Sequence, residues 1–115
     1  MSLPSWDDLL DCFPRGIRPT DIDGMVEING WVLILDQKEQ GKTFEEGQRR
    51  AYNALRERPN TTIVGIREGV DSEVEVIILA NDLPGTGWQP VTRAWLLNWL
   101  REWVAGAEAS TRAAI

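Results

Sequence analysis

The chain has no histidine and a single cysteine, Cys12. Without histidine there is no Ser-His-Asp relay, no haem axial imidazole and none of the common zinc sites. One cysteine excludes an internal disulfide and a cysteine-based zinc centre. Long apolar runs are also missing: the longest, residues 74–80, is interrupted by Glu75 and far too short to span a bilayer. Residues 1–20 carry Asp7, Asp8 and Asp11 and no extended apolar core, so no signal peptide is expected, and the expected setting is soluble and cytoplasmic. Positive charge is scarce. Twelve Lys and Arg face eighteen Asp and Glu, a formal net charge of −6, which argues against a generic basic coat for nucleic acid. Any catalysis must therefore run on carboxylates, lysine, hydroxyls or a hard metal ion.

What is present reads as one domain: 115 residues, with no repeats and no linker. Ser5 before WDDLLDCF predicts a short helix with Ser5 as N-cap and acids in its first turn. Pro14, Gly16 and Pro19 break it. Strands are predicted over residues 21–28 and 31–38, joined by Asn29-Gly30, the strongest short hairpin signal. Thr43 with Glu46 fits a capping box, opening a helix on which Phe44, Gln48, Ala51, Tyr52 and Leu55 share a stripe. Two more strands are expected over residues 61–67 and 73–80. A Pro/Gly loop, 81–90, leads to a last helix over residues 92–105 with Trp95, Leu96, Trp99, Leu100 and Trp103 on its apolar face. Residues 106–115 are expected to fray. This order predicts an α/β fold, a mixed central β-sheet flanked by helices.

The hairpin register bears on chemistry. With a two-residue turn at Asn29-Gly30, every facing pair sums to 59, so Met25 faces Ile34, Asp23 faces Asp36 and Asp21 faces Lys38. Side chains alternate along a strand, so these residues project from one side, ionic at its far end. The other side, with Ile22, Val26, Leu33 and Leu35, is expected to be core. Directly opposed Cβ atoms lie roughly 4.5–5.5 Å apart, and two carboxylates there repel unless one is protonated or a cation lies between them. A hard divalent ion takes one or two carboxylates with waters completing its shell. The bland alternative is a solvated pair of strand ends. Asp21-x-Asp23-Gly24 does not make a calcium loop, because Pro19 and Gly30 would occupy its two anchor positions.

An aspartate, a hairpin and then Asp36-Gln37-Lys38 resembles the signature of the PD-(D/E)XK nuclease superfamily. Gln48-Arg49-Arg50-Ala51-Tyr52 resembles the Gln-x-x-x-Tyr element on the following helix of its exonuclease members. The run from Pro14 to Leu55 is similar to small phage-encoded nuclease-like proteins of this superfamily, and the likeness extends over residues 13–67. The resemblance implies a restriction-endonuclease-like core and Mg²⁺- or Mn²⁺-dependent hydrolysis of phosphodiester bonds in DNA, in a bacterial cell or phage-infected host. It assigns Asp23 and Asp36 as metal ligands with the carbonyl of Gln37, Lys38 as the catalytic lysine, and Asp21, Gln48 and Tyr52 as auxiliary residues. Glutamate is the commoner residue where Asp36 stands, and the family's first strand is not evident between Cys12 and Thr20.

Arg15, Arg18, Lys42, Arg49 and Arg50 are candidates for phosphate contact, against the alternative of a solvated basic face. Trp95, Trp99 and Trp103 form one stripe, suited to packing on the sheet or to a homodimer or protein partner. Two further readings stay open: an inactive nuclease fold that binds DNA or protein, and an interaction module built on the tryptophans.

Overall fold

The structure, a computed structural model, describes residues 3, 5–71, 73–83, 85 and 87–110. It is an α/β fold in which a five-stranded mixed sheet is flanked by helices. The elements are α1 (Trp6–Leu10), a 3-10 turn (Pro14–Gly16), β1 (Gly24–Ile28), β2 (Trp31–Lys38), α2 (Glu46–Leu55), β3 (Thr61–Glu68), β4 (Val74–Ala80), β5 (Gln89–Val91) and α3 (Arg93–Ala109). The strands lie in chain order across the sheet. All neighbours are antiparallel except β2 and β3, which are parallel because α2 carries the chain back between them. Among the described residues no helix is long and apolar enough to cross a membrane.

Local chemistry accounts for most boundaries. Ser5 Oγ accepts the N–H of Asp8 and Asp8 Oδ2 accepts that of Ser5, both at 3.1 Å, so α1 starts where predicted. Asn29 (φ 52°) and Gly30 (φ 83°) are both left-handed, as a type I′ turn requires. Glu27 Oε2 accepts the Gly30 N–H at 2.6 Å, and the Asn29 amide donates to the Ala107 carbonyl at 3.1 Å. The hairpin register is as predicted, with Ile28 opposite Trp31 and Gly24 opposite Leu35.

Four boundaries differ. β1 begins at Gly24, not residue 21, because residues 21–23 leave the ladder to meet α2. α2 begins at Glu46 after Glu45, since the Thr43 hydroxyl accepts the Trp88 indole N–H at 3.0 Å instead of capping the helix. β5 lies partly inside the predicted loop, its Pro90 tolerated at a sheet edge. Residues 106–109, expected to fray, continue α3, held by the Asn29 contact and the burial of Ala107. Residues 111–115 of that predicted tail, Ser72 between two predicted strands, and Pro84 and Thr86 of the predicted loop fall outside the described residues.

The expectation of a single core side is also corrected. Ile34, Phe44, Tyr52, Ile63 and Leu79 pack beneath α2 on one face, and Leu33, Val64, Val76 and Leu96 beneath α3 on the other. A strand joined to its neighbour by a helical crossover is covered on both faces, so β2 is apolar both ways until its C-terminal end. Ile22 and Val26, expected in the core, are 43% and 37% exposed because β1 is an edge strand. Trp99 and Trp103 pack against the α3-side core, whereas Trp95 is exposed. Gly65, opposite Asp36 on β3, has a specific task. A Cβ there would lie 2.7 Å from Phe44 and Ile77 and 2.8 Å from Trp88, so only glycine admits those rings beside the end of β2.

Candidate active site

The parallel crossover lays the first turns of α2 over the C-terminal end of β2, and that juxtaposition builds the site. Asp36, the one buried charged residue among those described, is 1% exposed. Its Oδ2 accepts the Tyr52 hydroxyl at 3.1 Å and the Gln48 Nε2–H at 3.0 Å, and lies 3.6 Å from Lys38 Nζ. Asp23 Oδ2 accepts the N–H of Gln37 at 2.7 Å across the hairpin, placing the two carboxyls side by side and within hydrogen-bond reach of each other. Each carboxyl commits Oδ2 to the protein.

The two acids are driven in opposite directions. Burial, then the hydrogen bond with Asp23, raises the Asp36 carboxyl above its ordinary range, against the opposing pull of Tyr52 and Lys38. The Gln37 N–H, then the hydrogen bond from Asp36, holds Asp23 below it. The hydrogen bond between the two carboxyls sets them apart in acidity and offsets the repulsion expected of opposed carboxylates. Burial and the charge of Asp36 push the Tyr52 phenol well above its ordinary value, so it remains a donor.

Gln48 locks the constellation. Its Oε1 accepts Lys38 Nζ at 2.6 Å and the Glu45 N–H at 3.4 Å, while its Nε2 donates to Asp36 and, at 3.2 Å, to the Asp21 carbonyl. Lysine only donates and a carbonyl only accepts, so the orientation of this amide is determined by its partners. Tyr52, one turn later, reaches the same Asp21 carbonyl at 3.5 Å. Asp21 therefore contributes its main chain, not the carboxylate–lysine pair expected from the register, because the chain has already left the β1 ladder.

These groups line a cavity of about 900 Å³. Asp21, Asp23, Asp36, Gln37 and Lys38 form its floor, Gln48 and Arg50 one wall, and the segment bearing Arg15 and Arg18 the other. The basic candidates divide accordingly. Arg49 and Arg50 both pair with Glu46, at 3.7 and 3.0 Å, Arg50 lining the cavity as it does so, and Lys42 lies away from the cavity, its carbonyl accepting Arg67 Nη1 at 2.6 Å. Arg56, a further arginine of the helix, donates instead to the carbonyls of Ala80 and Leu83. Sequence reasoning missed Arg67, which the parallel register places beside Lys38; it pairs with Glu75 at 2.8 Å and lies 4.1 Å from the Trp88 ring centroid. No signal short of the β2–β3 register would have found it.

The donor set is all oxygen, as a hard divalent ion prefers. Two neighbouring carboxyls lining one cavity fit such an ion, with the Gln37 carbonyl a further oxygen donor. Among the described residues no three acidic or cysteine side chains gather to hold a metal, so water must supply the rest of the shell. No family model, curated protein or solved structure matches the chain.

Proposed function

We propose that this chain is a metal-dependent nuclease of PD-(D/E)XK type that hydrolyses phosphodiester bonds in DNA. One observation carries the reading. A buried aspartate faces a second aspartate across a hairpin, with a lysine ammonium 3.6 Å away, at the floor of an arginine-walled cavity. The order of hairpin, crossover helix and parallel strand supports the corresponding core, although residues 12–23 form no additional strand.

In this reading Asp23 and Asp36 would hold Mg²⁺ or Mn²⁺, assisted by the Gln37 carbonyl. When bound, such an ion supplies Lewis acidity and lowers the pKa of water. Tyr52 and Gln48 keep Asp36 oriented. Gln48 also restrains Lys38, so that the ammonium points where negative charge develops on a phosphate. Arg15, Arg18 and Arg50 receive the flanking phosphates.

The runner-up is an inactive nuclease fold that binds DNA or protein. The two-carboxylate donor set and the net charge of −6 are what favour it. Labelled single- and double-stranded DNA incubated with Mg²⁺, Mn²⁺ or EDTA separates the two. Metal-dependent cutting is expected, reduced at least 10²–10³-fold, an order-of-magnitude figure, in Asp36→Ala and Lys38→Ala. Binding without cutting under every condition would transfer the conclusion to the inactive fold.

A further inference from the structure

The two edges of the sheet are built differently. β5 is three residues long and carries Pro90, a short and guarded edge. β1 has five residues, no proline and no lysine, and its middle three residues are exposed. In the hairpin, Gly24, Val26 and Ile28 turn their main-chain groups toward β2, so those of Met25 and Glu27 point outward, with no hydrogen-bond partner among the described residues. Among the described residues, eight of the eleven exposed large apolar side chains lie in residues 3–26, in β1 and the segment leading to it, among them Trp6, Phe13, Ile17 and Met25. Met25 and Val26, 65% and 37% exposed, lie on the strand itself, so exposed apolar side chains flank the open main-chain edge.

We infer that β1 pairs with β1 of a second copy of this chain, antiparallel about a two-fold axis at Val26. Three registers place the outward residues opposite one another. Centring on Met25 sets Glu27 against the partner's Asp23, and centring on Glu27 sets it against the partner's Glu27. Both oppose like charges, which is unfavourable. Centring on Val26 sets Met25 against the partner's Glu27 and Gly24 against the partner's Ile28, with no like charges facing. Met25 and Glu27 then exchange both main-chain hydrogen bonds with the partner, four bonds in all by symmetry, and Val26 meets its own copy in a non-hydrogen-bonded pair. The two sheets become one of ten strands. This edge is distinct from the tryptophan face of α3, and the pairing does not depend on the chain being a nuclease.

Sedimentation of the full chain at tens of micromolar is expected to show a species of twice 13.0 kDa. Val26→Asp, which opposes two carboxylates at the axis, and Met25→Pro, which removes an outward N–H, are each expected to weaken it more than tenfold with circular dichroism unchanged. Trp95→Lys is expected to leave it intact. With the exposed Cys12 replaced by serine, Val26→Cys is expected to cross-link on oxidation. Met25→Cys, whose copies lie two strand positions apart, is expected not to. Amide exchange of the unsubstituted chain adds a check independent of variant folding: the Met25 and Glu27 N–H groups are expected to gain protection as concentration rises. A monomer at these concentrations, a dimer broken by Trp95→Lys but not Val26→Asp, cross-linking by both cysteines or neither, or concentration-independent exchange would each overturn the pairing.

Discussion

The two faces of β2 are made by one stretch of eight residues, yet they do different work. Toward α3 the strand presents Leu33 and Leu35 to an apolar layer that ends at solvent. Toward α2 it presents Ile34, then Asp36 and Lys38, and the helix above answers residue for residue, with Tyr52 and Gln48 on the aspartate and Gln48 on the lysine. The α3 face is selected for burial alone. The α2 face begins the same way and then spends some of that stability on a desolvated carboxyl held beside a second one. A buried ionisable group with a matched partner shell, in a cavity, marks where function outweighs packing.

The apolar halves of both faces should be equally indispensable. Ile63→Ala beneath α2 and Leu33→Ala beneath α3 remove side chains 0% and 3% exposed, and each is expected to lose about 2–5 kcal/mol in urea unfolding. A marked difference between them would mean that one helix is only loosely seated. The ionic half should behave in the opposite sense. Burial raises the Asp36 carboxyl, so the protonated form favours the fold: that contribution is full below the unfolded-state pKa and is lost as pH rises through the raised folded value. Asp36→Asn has no such loss. Without divalent metal it is expected to be more stable than the parent by about 1–2 kcal/mol at pH 8, with the gap closing toward pH 4. Unfolding midpoints across that range check it; a gap that widens on acidification would show the sign to be wrong. Asp23, held low by the Gln37 N–H, works the other way, its stability present above the unfolded-state pKa and lost as pH falls.

The smallest expected effect lies at the junction of the two halves. Tyr52→Phe keeps the ring against Phe44, whose centroid is 5.0 Å away, and removes only the hydroxyl on Asp36. A loss of about 0.5–1.5 kcal/mol is expected at neutral pH, measured by thermal unfolding. If Tyr52→Phe costs as much as Ile63→Ala, the hydroxyl is holding more of the fold than one hydrogen bond.

Much of this was legible along the chain. Asn29-Gly30 announces its turn and so sets the β1–β2 register, which in turn brings Asp23 to Asp36. The spacing of Gln48 and Tyr52 puts both on one helix stripe. The misread boundaries share a cause, since each depends on a distant partner: Trp88 draws Thr43 away from the helix, Gln48 draws Asp21 out of the strand, and Asn29 keeps the end of α3 wound. The division of the five basic candidates into Arg15, Arg18 and Arg50 at the cavity, with Arg49 and Lys42 away from it, was equally hidden. It follows from which way α2 faces once docked.

The sequence by itself determined the local geometry: a tight left-handed turn, the alternation of side chains on the hairpin, the stripe on α2, and the exclusion of histidine and disulfide chemistry. These rest on contacts within a few residues or on residue types alone. Only the tertiary structure decided that Asp36 is buried, that it lies hydrogen-bonded beside Asp23, and that Gln48 joins lysine, aspartate and the Asp21 main chain in one network. Desolvation and hydrogen bonding between segments up to 31 residues apart arise only when α2 closes over the end of β2.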